Sequence, residues 1–219
     1  MKHTKQEEYS MCRNGRCLMM AALVTMPTLM PGCTSLVDLL PDNIDVPFDL
    51  ETSGIGTFTV SEGEPQTRLA TFDINTAGIT PASGTIDFSA DTIMVTVDDA
   101  TTEKGSVSAQ ESNDCLDACA AGGASDEVCQ NVCENNVVDV RVWFRDAESV
   151  NEDCNVGDEY RITIELDGGD VTGVTVDPTE LADSTLAVMS SGEFSACFQV
   201  IAPFSGEIIL SEMVITVSP

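Results

Sequence analysis

The sequence predicts a mainly β domain, an antiparallel β-sandwich carrying an inserted, disulfide-bonded α-helical hairpin. Three observations carry this expectation. Short alternating or β-branched runs recur between Gly, Pro, Asp and Ser clusters. All eight phenylalanines fall within the part of the chain that holds those runs. One segment alone, residues 112–135, has helical spacing, and it holds two C-x3-C pairs. Short strands with turn signals at regular intervals are the pattern of a sandwich, and no repeat of fixed period points to a propeller or solenoid.

Before the domain, residues 1–32 read as a leader. Lys2, Lys5, Arg13 and Arg16 make a basic start, and the run from Cys17 to Met30 is almost wholly apolar. That order of charge and then grease is a secretory signal. The run is too short for the roughly 20 apolar residues a spanning helix needs, and Pro27 and Pro31 disturb its end. Glu7 and Glu8 sit oddly in a basic leader, so Met11, which would place Arg13 and Arg16 directly before the apolar run, is read as the start rather than Met1.

Leu29, Met30, Pro31 and Gly32 precede Cys33. Residues 1–33 resemble the signal peptide of bacterial lipoproteins, in which a leucine-like residue and a small residue lead up to Gly or Ala and then a cysteine. Gly32 and Cys33 match; Pro31 departs from the pattern. The resemblance implies cleavage before Cys33, acylation of its sulfur and new amino group, palmitate included, and a cell-envelope location anchored by lipid. Thr34 in place of Asp is compatible with the outer membrane where the host has one. Residues 33–47 then form a tether, broken by Pro41, Asp42 and Asn43.

Residues 48–219 form the predicted domain. The expected strands are Gly56–Ser61, Arg68–Ile74, Thr85–Phe88, Thr92–Val97, Val137–Arg145, Tyr160–Leu166, Val171–Val176, Phe194–Ile201 and Glu207–Val217. Apolar positions change phase between Leu210 and Met213, which predicts a bulge there. In the hairpin, Asn113 or Asp114 is the expected cap of a first helix ended by Gly122 and Gly123, and Ser125 caps a second helix with Asp126 and Glu127 in its first turn.

Cleavage at Cys33 removes Cys12 and Cys17 and acylates Cys33, leaving six of nine cysteines. An even remainder in an exported chain points to three disulfides. Each C-x3-C pair sets two sulfurs on one helical face, and an antiparallel partner reverses their order, so Cys115 pairs with Cys133 and Cys119 with Cys129. Cys154 is left for Cys197. The paired C-x3-C helices resemble the twin-cysteine hairpins of mitochondrial intermembrane-space proteins, in architecture only and over about 20 residues. Zinc on the four hairpin cysteines is the rival reading, against which stand the tighter C-x2-C spacing of most structural zinc sites and the oxidising compartment.

Residues 1–32 hold four of the nine basic residues, two of the 37 acids and the only histidine, His3. What remains carries 5 basic and 35 acidic groups, 5 − 35 = −30. Such a surface disfavours nucleic acid, which is bound through clustered Lys and Arg, and leaves lipid as the membrane link. It also predicts stability that rises with salt, which screens self-repulsion. Without histidine, Ser-His-Asp and Cys-His triads and His-ligated metal centres are excluded within the chain, and Lys104 lies in a polar stretch unsuited to a Ser-Lys dyad. The expected protein is therefore not an enzyme and needs no cofactor. Its partners are the membrane, reached through the anchor, and an envelope protein or a glycan.

Two stretches are candidate sites. Arg141, Trp143 and Arg145 alternate with Val140, Val142 and Phe144, which puts the only tryptophan between two arginines on the polar face of a strand. They are a recognition platform for a sugar, peptide or acidic group, or else the hairpin packs over Trp143 while the arginines bridge to nearby acids. The latter is preferred, because an insertion joined directly to that strand has little freedom to lie elsewhere. Asp146, Glu148, Asp153 and Asp158 lead an oxygen-rich stretch suited to calcium, although it lacks the order of an EF-hand loop. The main alternative function is accordingly a calcium-dependent adhesion or carbohydrate-binding module. A glycan hydrolase using two carboxylates comes third, and with 35 acids no pair stands out.

Overall fold

The structure, a computed structural model, describes residues 43–73, 81–98, 109–146, 154, 157–167 and 169–218. The leader, Cys33 and most of the tether lie outside them. The described residues belong to one compact unit. It is mainly antiparallel β, as expected, with eleven strands and three α-helices among the described residues.

Strands β1 (Ile44–Asp49), β2 (Thr57–Val60), β3 (Gln66–Asp73), β4 (Ser83–Asp87) and β5 (Ile93–Val97) come first. The hairpin follows as α1 (Ala109–Ala121) and α2 (Asp126–Asn135). Then come β6 (Val137–Asp146), β7 (Glu159–Asp167), β8 (Asp170–Asp177), helix α3 (Asp183–Met189), β9 (Glu193–Ile201), β10 (Gly206–Leu210) and β11 (Glu212–Ser218). They form three sheets, ordered β1-β11-β4, β2-β10-β5 and β3-β9-β6-β7-β8.

Each of the nine expected runs holds a strand, and the last holds two. Burial falls on Gly206, Ile208 and Leu210 in β10 but on Met213, Ile215 and Val217 in β11. The change of phase occurs at Ser211, whose N–H donates to the Thr92 carbonyl while the chain passes from one small sheet to the other. The sequence reading missed two elements. Ile44–Asp49 is a strand paired with β11, not the end of a tether; Ile44, Val46 and Phe48 alternate inward there, and Pro47 is tolerated because β1 is an edge. Helix α3 went unseen because it spans only seven residues, yet Leu186 and Met189 join the core.

The core draws side chains from all three sheets and α3, among them Phe48, Phe58, Ile86, Val140, Phe194 and Ile215. Phe48, Phe72 and Phe194 meet with ring centroids 5.1–5.7 Å apart, a spacing suited to edge-to-face and tilted packing. Tyr160 is buried with its hydroxyl satisfied: it donates to Thr185 Oγ1 at 2.8 Å and accepts the Ala182 N–H at 2.9 Å. This bond ties β7 to the start of α3. At the other end of the chain, the Thr52 N–H donates to the Asp49 carboxylate and holds its pKa below the ordinary value.

The hairpin has its own small apolar cluster, made of Cys115, Cys119, Val128, Cys129, Val132, Cys133 and Ile201. Its disulfides join Cys115 to Cys133 and Cys119 to Cys129, with Cα separations of 5.9 and 5.6 Å. Ser125 caps α2 by accepting the Val128 N–H, Gly123 takes a positive φ after α1, and α1 starts earlier than expected, at Ala109. The hairpin seats on the β2–β3 turn. Gly63 there has φ +73°, and a Cβ on it would lie 2.4 Å from the Cys115 carbonyl oxygen. A Gly63→Ala substitution therefore combines left-handed strain with a backbone clash, and about 2–3 kcal/mol of destabilisation is expected. Thermal unfolding should show a melting temperature lower by roughly 5–10 °C; an unchanged value would mean that α1 does not rest on this turn.

Candidate functional site

The outer face of the five-stranded sheet is the one place where several basic side chains meet among the described residues. Along β6 it carries Asp139, Arg141, Trp143 and Arg145, and the facing β7 residues are Thr163, Arg161 and Glu159. Alternation puts these positions opposite the core-facing Val138, Val140, Val142 and Phe144.

Asp139 is the centre of the charge arrangement. It is fully buried and accepts from two arginines: Arg141 Nε donates to its Oδ1 at 3.0 Å, and Arg161 Nε donates to its Oδ2. Arg141 also lies 3.7 Å from Glu159. Fixed cross-strand register makes the arrangement possible, because Arg141 and Arg161 are directly opposed on β6 and β7. Two like charges side by side would repel without the shared carboxylate between them. Sequence reasoning singled out Arg141 but not Arg161. The available signal was the alternation of Tyr160, Ile162 and Ile164, which puts Arg161 on the polar face of the next strand.

Trp143 is buried, with 4 % of its surface exposed, and Arg145 is buried beside Ser195. Trp143 is thus covered, as expected, and the hairpin is joined directly to its strand. Asn136, at φ 54°, turns the chain directly from α2 into β6, so α2 lies against the first residues of that strand. The hairpin's apolar cluster reaches Ile201, whose partner on β6 is Asp139. Trp143 lies four residues further on and belongs to neither apolar cluster. Its neighbour on β9 is Cys197, and the Cys154–Cys197 disulfide brings Cys154 to this part of the face. The platform residues are thus brought together but not presented: tryptophan and Arg145 are covered, and Arg141 is engaged with acids.

Between α2 and β7 lies a cleft of about 360 Å³, lined by Glu127, Gln130, Asn131, Glu134, Asn135 and Arg161. The first five recur at helical spacing and form one polar stripe of α2. Of the candidate calcium ligands, Glu148 and Asp153 lie outside the described residues. Asp146 ends β6 at the surface, and the Asp158 carboxylate accepts from the Ser184 hydroxyl. Among the described residues, no three His, Cys, Asp or Glu side chains are grouped as a metal site would require.

No family model, curated protein or solved structure matches this chain.

Proposed function

We propose that the protein is a lipid-anchored lipoprotein of the cell envelope, a non-catalytic interaction or structural module built as a β-sandwich on a short tether. The observation that carries this reading is Cys33 itself, preceded by a basic start, an apolar run and Gly32. The first strand begins at Ile44, so ten residues separate it from Cys33. Fully extended, ten residues reach roughly 35 Å. The domain is accordingly held close to the bilayer surface, where its charge of −30 keeps it from lying on anionic lipid. A sandwich is supported by the shared core of the two small sheets and the five-stranded sheet. A non-catalytic role is supported by the lack of histidine after residue 32 and by arginines already engaged with carboxylates.

The test is metabolic labelling with a palmitate analogue in a bacterial host expressing the full chain. Label is expected on the protein in the membrane fraction, with a Cys33→Ser variant unlabelled and released from the membrane. An unlabelled parent chain, or label that persists in the variant, would refute the proposal.

A further inference from the structure

Six strands lie at sheet edges, and five of them are guarded in ways that discourage pairing with another chain. β1 carries Pro47, and β2 has four residues. The open side of β4 is taken by the segment after β8, through Ile86 N–H to the Thr179 carbonyl and Leu181 N–H to the Gly84 carbonyl. β5 has five residues and lies against β8, and β8 has a register shift and an aspartate at each end. β3 differs. It runs for eight residues in unbroken register with β9, without proline or lysine, and no described residue pairs with its other side. At its middle, Leu69 is 43 % exposed, one of two exposed large apolar side chains among the described residues; the other is Met94.

We infer that β3 is a self-association surface, pairing antiparallel with β3 of a second copy about a two-fold axis through Leu69. The sequence of the strand favours a copy of itself over another occupant. A two-fold axis normal to the sheet keeps the faces aligned and opposes residues whose numbers sum to 138. Leu69 then meets Leu69 of the other copy, and Thr67 meets Thr71 in both directions. These are favourable cross-strand pairs. Arg68 meets Ala70, and Asp73 falls opposite Pro65, so no like charges are directly opposed. The strand has one acid in eight residues, in a chain that holds 35 acids after residue 32. The one edge left unguarded therefore brings only a single acid from each copy to the contact.

The rest of each chain still repels the other, so salt should strengthen the pairing. Two differently tagged full-length chains are co-expressed, one is captured, and recovery of the other is measured. Recovery is expected to be near-equal at about 0.5 M salt and several-fold lower at about 0.05 M. Leu69→Asp on both chains opposes two carboxylates, and recovery should fall by about tenfold or more. Leu69 is exposed in the single chain, so melting of the dilute protein at low salt, where the chains are apart, should be unchanged; Met94→Asp serves as the control and should leave recovery intact. Absence of the second chain at every salt concentration, whatever other strand β3 accepts, would overturn the inference. Recovery indifferent to Leu69→Asp, or equally lost with Met94→Asp, would overturn it too.

Discussion

An Asp139→Ala variant is expected to melt roughly 10 °C or more below the parent protein, the largest effect anticipated for a single substitution here. Among the described residues Asp139 alone bridges Arg141 and Arg161, and it is fully buried. Removing it leaves two guanidinium groups facing each other across the β6–β7 ladder, partly withdrawn from water and with no shared counter-charge. Stranding a buried charge in this way costs about 3–5 kcal/mol. The ion triad as a whole is a different matter, since a buried salt bridge gains little over well-packed apolar residues of similar volume. A triple variant, Asp139→Leu with Arg141→Met and Arg161→Met, should therefore recover most of the loss. Thermal or denaturant unfolding of the two variants separates the cases. A single variant that costs under about 1 kcal/mol would show that water already solvates these arginines.

Changing Cys115, Cys119, Cys129 and Cys133 together to serine should melt the hairpin and leave the β-domain folded. The hairpin's apolar cluster consists of those four sulfur-bearing residues plus Val128, Val132 and Ile201. Four hydroxyls in their place would be buried polar groups, and two valines and an isoleucine make too small a core to hold two helices. The chain-entropy model assigns about 3 kcal/mol to each of the two loops, less when combined because one lies inside the other. None of the hairpin's described side chains belongs to the main core, so its loss removes no described member of that cluster. The expected outcome is loss of most helical circular dichroism and fast amide exchange over Ala109–Asn135, with slow exchange retained in β6 and β9. Global unfolding of the variant would mean that the hairpin is part of the domain's folding unit.

The features legible in the sequence were those governed by local spacing. C-x3-C pairs on antiparallel helices admit one sensible pairing, and the hairpin's disulfides follow it. Strands showed themselves through alternation, while the phase change after Leu210, read as a bulge within one strand, is instead the break between β10 and β11, which lie in different sheets. Features governed by tertiary register were not legible. Nothing local in Val137–Asp146 says that Arg141 faces Arg161, or that Asp139 lies between them, because strand order supplies those neighbours. The same is true of Trp143, for which alternation gave the face but not the disulfide beside it. β1 is the instructive case: Ile44, Val46 and Phe48 alternate plainly, but the chain-breaking character of Pro41, Asp42, Asn43 and Pro47 outweighed them.

The placement of β10 and β11 has a consequence for the order in which the domain assembles. β11 is the middle strand of one small sheet and β10 of the other, so β1, β2 and β5 have no strand partner without them. β9 likewise joins β3 to the rest of the large sheet. A chain delivered amino end first, as every chain leaving the ribosome is, completes its large sheet only when residue 201 arrives and its two small sheets only with residues 206–218. Until then the apolar faces of the early strands have nothing to close against. The helical hairpin and the β6-β7-β8 meander can form as they emerge, but closure of the shared core waits for the last quarter of the domain.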